Sequence, residues 1–191
     1  MAQETDFSFN VPPEFEKITK NIRVIIVGLI AVVTIFSSFF TVETEEVGVI
    51  TRFGKYIDEA RPGLNFKVPF IDKVQYVPVQ RQLKQEFGYR TNSAGVNSTY
   101  RKAGYGGESL MLTGDLNLAD VEWVIQFRID NPYNYLFKVR NADETLRDIS
   151  EAAMRQIVGD RTVNEVLTVG RAEVASEAEL IIQAIVDEYE L

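Results

Sequence analysis

The side chains that could do chemistry in this chain are serines, lysines and carboxylates, because its 191 residues include no cysteine and no histidine. The lack of cysteine excludes disulfides, thiolate zinc sites and cysteine nucleophiles. The lack of histidine excludes a Ser-His-Asp triad and removes the commonest general base. A Ser-Lys dyad stays open, since Ser93, Ser98 and Ser109 lie near Lys102 in the sequence. None of them sits in a recognised motif, so proximity within a polar stretch is the simpler interpretation.

Two short stretches carry the residue types of ligand sites. Asp115, Asn117 and Asp120 resemble part of a calcium loop, but the glycine and the terminal bidentate glutamate of such a loop are missing. Gly104-Tyr-Gly106-Gly107 is rich in glycine, but it lacks the spacing of a phosphate-binding loop and does not join a strand to a helix. We therefore predict no catalytic residue, no cofactor-binding residue, no metal ligand and no cofactor.

The composition indicates a folded, acidic protein. Hydrophobic residues make up 46% of the chain and charged residues 25%, which is typical of a protein with a core. The formal net charge is −8, and no basic stripe with interleaved aromatic residues offsets it. Nucleic acid is therefore not an expected partner.

One uncharged segment has the length of a membrane span. Val24 to Val42 would extend roughly 28 Å as a helix, close to the thickness of a hydrocarbon core. A buried core helix would show a polar face, which this segment lacks, and a cleaved signal peptide would begin with a short basic region. We predict a flexible tail at residues 1–21 and a transmembrane helix at residues 22–42. Three acidic residues after it are interpreted as a solvated membrane-exit face: Glu43, Glu45 and Glu46.

The basic residues around this segment predict its orientation. Lys17, Lys20 and Arg23 precede it closely, whereas the first basic residue after it is Arg52. The positive-inside rule then places the N-terminus in the cytoplasm and residues 43–191 in the periplasm, across a bacterial inner membrane.

The remaining chain reads as strands followed by helices, which predicts an α+β domain at residues 43–191. Strands are expected at Val47–Gly54, at Leu64–Val68, where Leu64, Phe66 and Val68 alternate with polar residues as in a half-buried strand, and at Val74–Val79. A long loop is expected over Tyr89–Gly107. We divide the domain into two subdomains, residues 43–80 and about 81–191, the second incomplete.

A hairpin and two helices are the clearest elements of the second half. Residues 109–113 run through Gly114-Asp115 into a strand at Val121–Ile129, whose period-two pattern buries Trp123 and Phe127. Asn141 and Glu144 then suggest a helix cap, before a helix that ends near Gly159. Gly170 opens the last helix.

Several of these segments together resemble a known superfamily. Glu45–Lys55, directly after the predicted anchor, and Arg61–Phe70 resemble the opening of stomatin/prohibitin/flotillin/HflK domains, the SPFH or band 7 superfamily. Within it, Glu108–Asp115 and Asp120–Ile129 resemble the HflK subfamily, with HflC as the nearest relative. The same holds for the shorter matches Asn131-Pro132, Glu165–Thr168 and Arg171. The resemblance covers residues 22–191.

The resemblance implies a scaffold and no enzyme. HflK-like proteins pair with HflC in a membrane-bound ring or cage around the AAA protease FtsH and modulate the degradation of membrane proteins. The expected partners are therefore an HflC-like subunit, an FtsH-like AAA protease and the lipid bilayer, in a hetero- or homo-oligomer. Two alternatives stay open, a membrane-anchored serine hydrolase and a stomatin-like organiser of lipid microdomains.

The resemblance also implies a longer protein and a way of assembling. Family members continue with another strand and a long coiled-coil helix, so a chain ending at Leu191 is expected to be a truncated or partial form. We expect neighbours to pack laterally. A hypothesis for that contact is the charged face of the first long helix, whose members are Glu144, Arg147, Asp148, Glu151 and Arg155.

Overall fold

The computed structural model describes residues 13–93, 95, 98–168 and 170–190. Residues 1–12 of the predicted tail lie outside this range, and the rest of the predicted tail belongs to the first helix. In chain order the elements are α1 (Pro13–Ser37), β1 (Phe39–Val42), β2 (Glu46–Arg52), β3 (Lys55–Ala60), β4 (Gly63–Phe66), β5 (Asp72–Pro78), β6 (Leu83–Phe87), β7 (Arg90–Ser93), β8 (Thr99–Arg101), α2 (Gly106–Ser109), β9 (Leu110–Leu112), β10 (Leu118–Asp120), β11 (Trp123–Phe127), α3 (Pro132–Phe137), α4 (Ala142–Gly159), α5 (Val163–Leu167) and α6 (Arg171–Glu188).

Helix α1 ends earlier than the sequence predicts. It stops at Ser37, and Phe39–Val42 form β1, which pairs antiparallel with β4. The extended form is favoured because alternate side chains of β1, Phe40 and Val42, are buried against Ala60. Within the described residues, no helix is both long enough and apolar enough to cross a membrane.

The first half of the domain is built from small antiparallel sheets. Strands β3, β2 and β5 form one sheet with β2 in the middle, and β1 and β4 form a second. Val49 in β2 and Val77 in β5 are 0% and 1% exposed, and they pack with Ile129 in one core cluster. The prediction that Leu64 and Phe66 are half-buried is wrong, since their side chains are 71% and 63% exposed. Strand β4 presents them on its outer face, which no other described element covers.

The second half confirms the predicted order of strands and then helices. Strand β6 pairs with β11, and the long helices α4 and α6 pack together beside β9. The residues that form this core are Met111, Met154, Ile157, Val158, Val166, Val174 and Ala178. The domain is therefore α+β.

Two local predictions in this half are wrong. The region predicted as a loop at Tyr89–Gly107 contains the hairpin β7–β8 and the start of α2. The hairpin that begins at β9 closes on β10, whereas β11 pairs with the distant strand β6. A local sequence pattern does not identify a partner about forty residues away, because pairing is decided by packing.

Strand β11 alternates as predicted, but its burial is partial. Trp123 and Phe127 are half-buried, and Ile129 just beyond the strand is 6% exposed.

The predicted cap of α4 also differs from the observed one. Asn141 has a left-handed backbone, and its side-chain amide donates to Glu144 Oε2 at 2.9 Å rather than accepting from a helix N–H.

Candidate assembly surface

The serines and the lysine of the Ser-Lys hypothesis do not form a reactive pair. Ser109 is 3% exposed, and Ser98 donates to the carbonyl of Gly95 at 3.2 Å. Lys102 Nζ lies 2.7 Å from Glu122 Oε1 in an ion pair. The hydrogen bond to Glu122 raises the pKa of Lys102. A lysine that activates serine must lose its proton readily, so this environment opposes the chemistry.

Asp115, the first carboxylate of the calcium-like stretch, makes hydrogen bonds within the domain. Asp115 Oδ1 accepts from the Thr113 hydroxyl at 2.6 Å and from the Val163 backbone N–H at 3.1 Å. The Thr113 hydrogen bond lowers the pKa of Asp115. Asp115 therefore ties the β9–β10 turn to the first turn of α5. Among the described residues, no group of three or more acidic side chains is placed to hold a metal ion.

A polar network holds β6, β7, α2 and α4 together. Glu108 makes two hydrogen bonds with Arg90, at 2.7 and 3.0 Å, and accepts from the Gly88 N–H at 3.1 Å. Arg147 on α4 donates to the backbone carbonyl of Glu86 at 3.1 Å. Charge-assisted bonds of this kind are stronger and more directional than neutral ones. The network thus cross-links these four elements.

Glu86 has the most strongly shifted pKa among the residues of this network. Burial alone would raise the pKa of its carboxyl group. Hydrogen bonds from Lys84 and from the hydroxyl and N–H of Thr91 outweigh burial and lower the pKa to about 2. Since the folded pKa is lower than the unfolded one, this carboxylate stabilises the fold above its ordinary pKa, and the effect is lost as pH falls towards 2.

Two arginines of the hypothesised charged face have intramolecular roles. The Arg147 guanidinium lies 4.6 Å from the centroid of the Phe87 ring. Arg155 donates to the backbone carbonyl of Gly107 at 2.7 Å and to Glu151 at 2.6 Å. Both side chains therefore fasten α4 to the rest of the domain. Helix periodicity places them on one face, but it does not reveal that these two arginines have partners within the domain.

The hairpin β9–β10 has one buried face and a fixed turn. Met111 and Ala119, which are cross-strand partners, are 2% and 5% exposed. The Gly114 N–H donates to the Arg161 carbonyl at 2.8 Å, and a Cβ at Gly114 would lie 2.8 Å from the Gly159 carbonyl oxygen. The turn is thus pressed against the end of α4.

The other face of this hairpin is mostly leucine. Leu112 and Leu118 are cross-strand partners, and Leu110 is on the same side of the sheet, opposite Asp120. We call Leu110, Leu112, Leu116 (in the turn between the strands) and Leu118 the leucine face. Their exposed fractions are 44%, 56%, 79% and 68%. A cluster of exposed apolar side chains is typical of a protein contact.

The sequence contains the signal for the leucine face, but the pattern is ambiguous. Leu110 and Leu112 flank Met111 in β9, and Leu118 precedes Ala119 in β10, so apolar residues occur on both faces of the hairpin. Period-two alternation therefore does not indicate which face is buried.

A cleft of about 320 Å³ lies between β6 and the first turn of α4. Its lining includes Leu83, Gln85, Phe127 and Arg147. Gln85 donates from its amide to the Asp143 carbonyl at 2.8 Å, and its Oε1 is buried without a hydrogen-bond partner among the described residues. The cleft is open and mixed in polarity, so we treat it as secondary to the leucine face.

Comparison with protein-family models places most of the chain in one family. Residues 40–191 match the model described as the SPFH domain / Band 7 family.

Comparison with curated proteins gives relatives named HflK. Protein HflK of Treponema pallidum is 40% identical over 151 residues, which cover 78% of this chain and 46% of that protein. Protein HflK of Borreliella burgdorferi is 27% identical over 183 residues, covering 96% of this chain and 58% of that protein. The Escherichia coli protein named Modulator of FtsH protease HflK is 33% identical over 171 residues, covering 88% of this chain and 36% of that protein. The chain thus spans roughly a third to three fifths of these relatives.

Proposed function

This chain belongs to the SPFH/Band 7 family, in which its similarity is to HflK proteins, and from that premise we propose that it is a membrane-anchored scaffold. In this proposal it assembles with an HflC-like partner and modulates an FtsH-like AAA protease in membrane-protein quality control. The name of the Escherichia coli relative supports the protease connection. The domain acts by packing against neighbours and makes or breaks no bond.

The observation that carries the proposal is the leucine face. Four exposed leucines lie on a hairpin whose opposite side is anchored by Met111 and Ala119. Because the two strands are paired and their other face is buried, a partner would cover this face without ordering a loop, which lowers the entropic cost of association. Confinement to a membrane raises the effective concentration of neighbours further. The occupant in our proposal is a neighbouring subunit, either a second copy or the HflC-like partner.

Replacing Leu112 and Leu118 together with glutamate is expected to abolish assembly while leaving the domain folded. The change places two like charges opposite each other at the contact, and central contact residues typically contribute about 2 kcal/mol or more, on the order of a 30-fold change in affinity. The measurement is cross-linking between neighbours in membranes that contain the full chain and its partner. Leu180→Glu on α6, where the leucine is 69% exposed, is the matched control. If the double variant cross-links as well as the unchanged chain, the leucine face is not part of the contact between subunits.

An experiment in the same membranes distinguishes the scaffold from the serine-hydrolase alternative. Replacing Ser93, Ser98 and Ser109 together with alanine should leave both cross-linking and protease modulation intact. Loss of modulation with assembly preserved would favour catalysis.

The anchor in this proposal is the apolar part of α1. Its large hydrophobic side chains between Val24 and Phe36 are exposed, with Phe36 at 76% and Val24 at 69%. No described element covers them, and a bilayer would. The basic residues before Val24 favour a cytoplasmic N-terminus, which places the SPFH domain in the periplasm.

The topology is tested with reporters fused after residue 190. Alkaline phosphatase, which is active only in the periplasm, is expected to be active there, and a reporter that fluoresces only in the cytoplasm is expected to be dark. Exchanging Lys17, Lys20 and Arg23 for glutamine should weaken the preference, because those charges set it. An inactive phosphatase together with a fluorescent cytoplasmic reporter would show that the orientation is opposite to the one proposed.

A further inference from the structure

The cleft between β6 and α4 belongs to neither the leucine face nor the anchor. Its volume of about 320 Å³ is at the small end of the range for small-molecule pockets, roughly 300–1,000 Å³. The strands contribute Leu83, Gln85 and Phe127 to its lining, and the first turn of α4 contributes Asp143 and Glu144. A ligand there would meet apolar carbon, one amide and two carboxylates.

Gln85 is a polar residue on an apolar strand face. It alternates with Leu83 and Phe87 along β6, and its cross-strand partner on β11 is Ile125. Gln85 is only 8% exposed. A buried amide is unfavourable among apolar neighbours unless its hydrogen bonds are made. The hydrogen bonds of Gln85 therefore have to account for its presence on this face.

Only one end of the Gln85 amide has a partner. Its Nε2 donates to the Asp143 carbonyl at 2.8 Å, which fixes the orientation of the amide and ties β6 to α4. Its Oε1 is buried, and no described group donates to it. A buried acceptor without a donor is destabilising, so an N–H donor that entered the cleft and reached Oε1 would remove a penalty.

The carboxylates of the lining favour a donor that is positively charged. Asp143 and Glu144 are exposed and lie side by side in the first turn of α4. The only side-chain hydrogen bond that Glu144 makes with a described residue comes from the Asn141 amide, at 2.9 Å, and that amide carries no charge. Among the described residues, neither carboxylate is in an ion pair.

The basic residues of the lining have other partners. Lys84 Nζ lies 2.7 Å from Glu86 Oε1. Arg147 donates to the Glu86 carbonyl, and its Nη1 lies 3.6 Å from Glu108 Oε2. Both positive charges are thus directed towards acids outside the cleft. The charge that remains without a partner in the lining is negative, so a cation fits the cleft better than an anion.

We propose that this cleft binds a guanidinium or primary ammonium group on a short aliphatic stem. The head donates to Gln85 Oε1 and pairs with Asp143 and Glu144, and the stem packs against Leu83 and Phe127. Long basic chains combine an apolar stem with a charged head in this way. A free amine and a lysine or arginine side chain of another polypeptide supply the same chemistry.

A small movement of side chains gives the ligand access to Oε1. Because Oε1 is buried, a donor reaches it only after the side chains above it rotate. Lys84 and Glu144 are the long, exposed side chains of the lining, and exposed rotamers change within nanoseconds. Their rotation leaves the core in place.

The test titrates butylguanidinium into the full chain in mild detergent, with binding followed by saturation-transfer NMR of the ligand. We expect a dissociation constant of about 1 mM. Butylurea is the matched ligand, because it keeps N–H donors on the same stem but has no charge. It is expected to bind about fivefold more weakly. No binding of butylguanidinium, or equal binding of the two compounds, would overturn the proposal.

Variants locate the ligand. Asp143→Asn with Glu144→Gln is expected to weaken butylguanidinium binding about fivefold, and Gln85→Met, which removes the acceptor at similar volume, about tenfold. Asp160→Asn with Glu179→Gln makes the same change in net charge at exposed positions elsewhere and should leave affinity unchanged. Thermal melting checks that each variant is folded, and the acid pair decides the matter if Gln85→Met is not. Unchanged affinity in the folded variants of the cleft would place the ligand elsewhere.

A second titration distinguishes the two sources of the ligand. A blocked Ala-Arg-Ala peptide carries the same head and stem attached to a backbone. Binding at least as tight as that of butylguanidinium would assign the cleft to a polypeptide side chain, and weaker binding would assign it to a free amine. Both titrations use the chain without a partner, so their outcome does not depend on assembly through the leucine face.

Discussion

Phe87→Ala is expected to lower the free energy of unfolding by about 3–5 kcal/mol, the range for a buried phenylalanine whose cavity collapses poorly. Phe87 is fully buried, at 0% exposure. Its ring stacks on Trp123 with centroids 4.5 Å apart and planes 4° from parallel, and Arg147 lies over it at 4.6 Å. Removing the ring takes a partner from β11 and from α4 at once.

The measurement is denaturant unfolding of the full chain in mild detergent, followed by Trp123 fluorescence and by circular dichroism. Phe53→Ala is the matched control, because Phe53 is 86% exposed and surface changes usually stay within about 0.5 kcal/mol. A loss below about 1 kcal/mol for Phe87→Ala would mean that the core at β6 repacks freely.

Gly88→Ala is expected to destabilise the domain by about 2–4 kcal/mol, through a strained backbone and a steric overlap. Gly88 has a φ of +83°, and an added Cβ would lie 2.6 Å from Ser109 Cβ and 3.1 Å from Glu122 Cγ. The Gly88 N–H also donates to Glu108, so any movement of the backbone disturbs the network that holds β6, α2 and α4.

Gly104→Ala separates the two causes. Gly104 has a similar φ, +94°, but a Cβ there would meet no heavy atom within 4 Å. We expect that variant to lose only about 1 kcal/mol, the cost of the left-handed backbone alone. The difference between the two variants, measured as urea midpoints, reports the overlap with Ser109. Equal losses would show that α2 moves aside to make room.

The sequence determined the fold class, because that class depends on local hydrophobic period. Alternation along Val121–Ile129 predicted β11, and the helical period after Asn141 predicted α4, and both elements are present. The resemblance carried by Glu45–Lys55, Glu108–Asp115 and Asp120–Ile129 predicted an HflK-type SPFH domain, which the family match and the relatives confirm. These features need only the order of residues along the chain.

Tertiary structure alone decided which surfaces are free, because exposure depends on elements that are distant in sequence. Arg147 and Arg155 looked available on a helix face, yet each is bound to a backbone carbonyl 61 and 48 residues away. Leu64 and Phe66 looked half-buried, yet β4 pairs only with β1 and leaves them outside. The leucine face arises in the same way. Alternation shows that two faces differ, whereas only the packed neighbours determine which face meets water, lipid or another subunit.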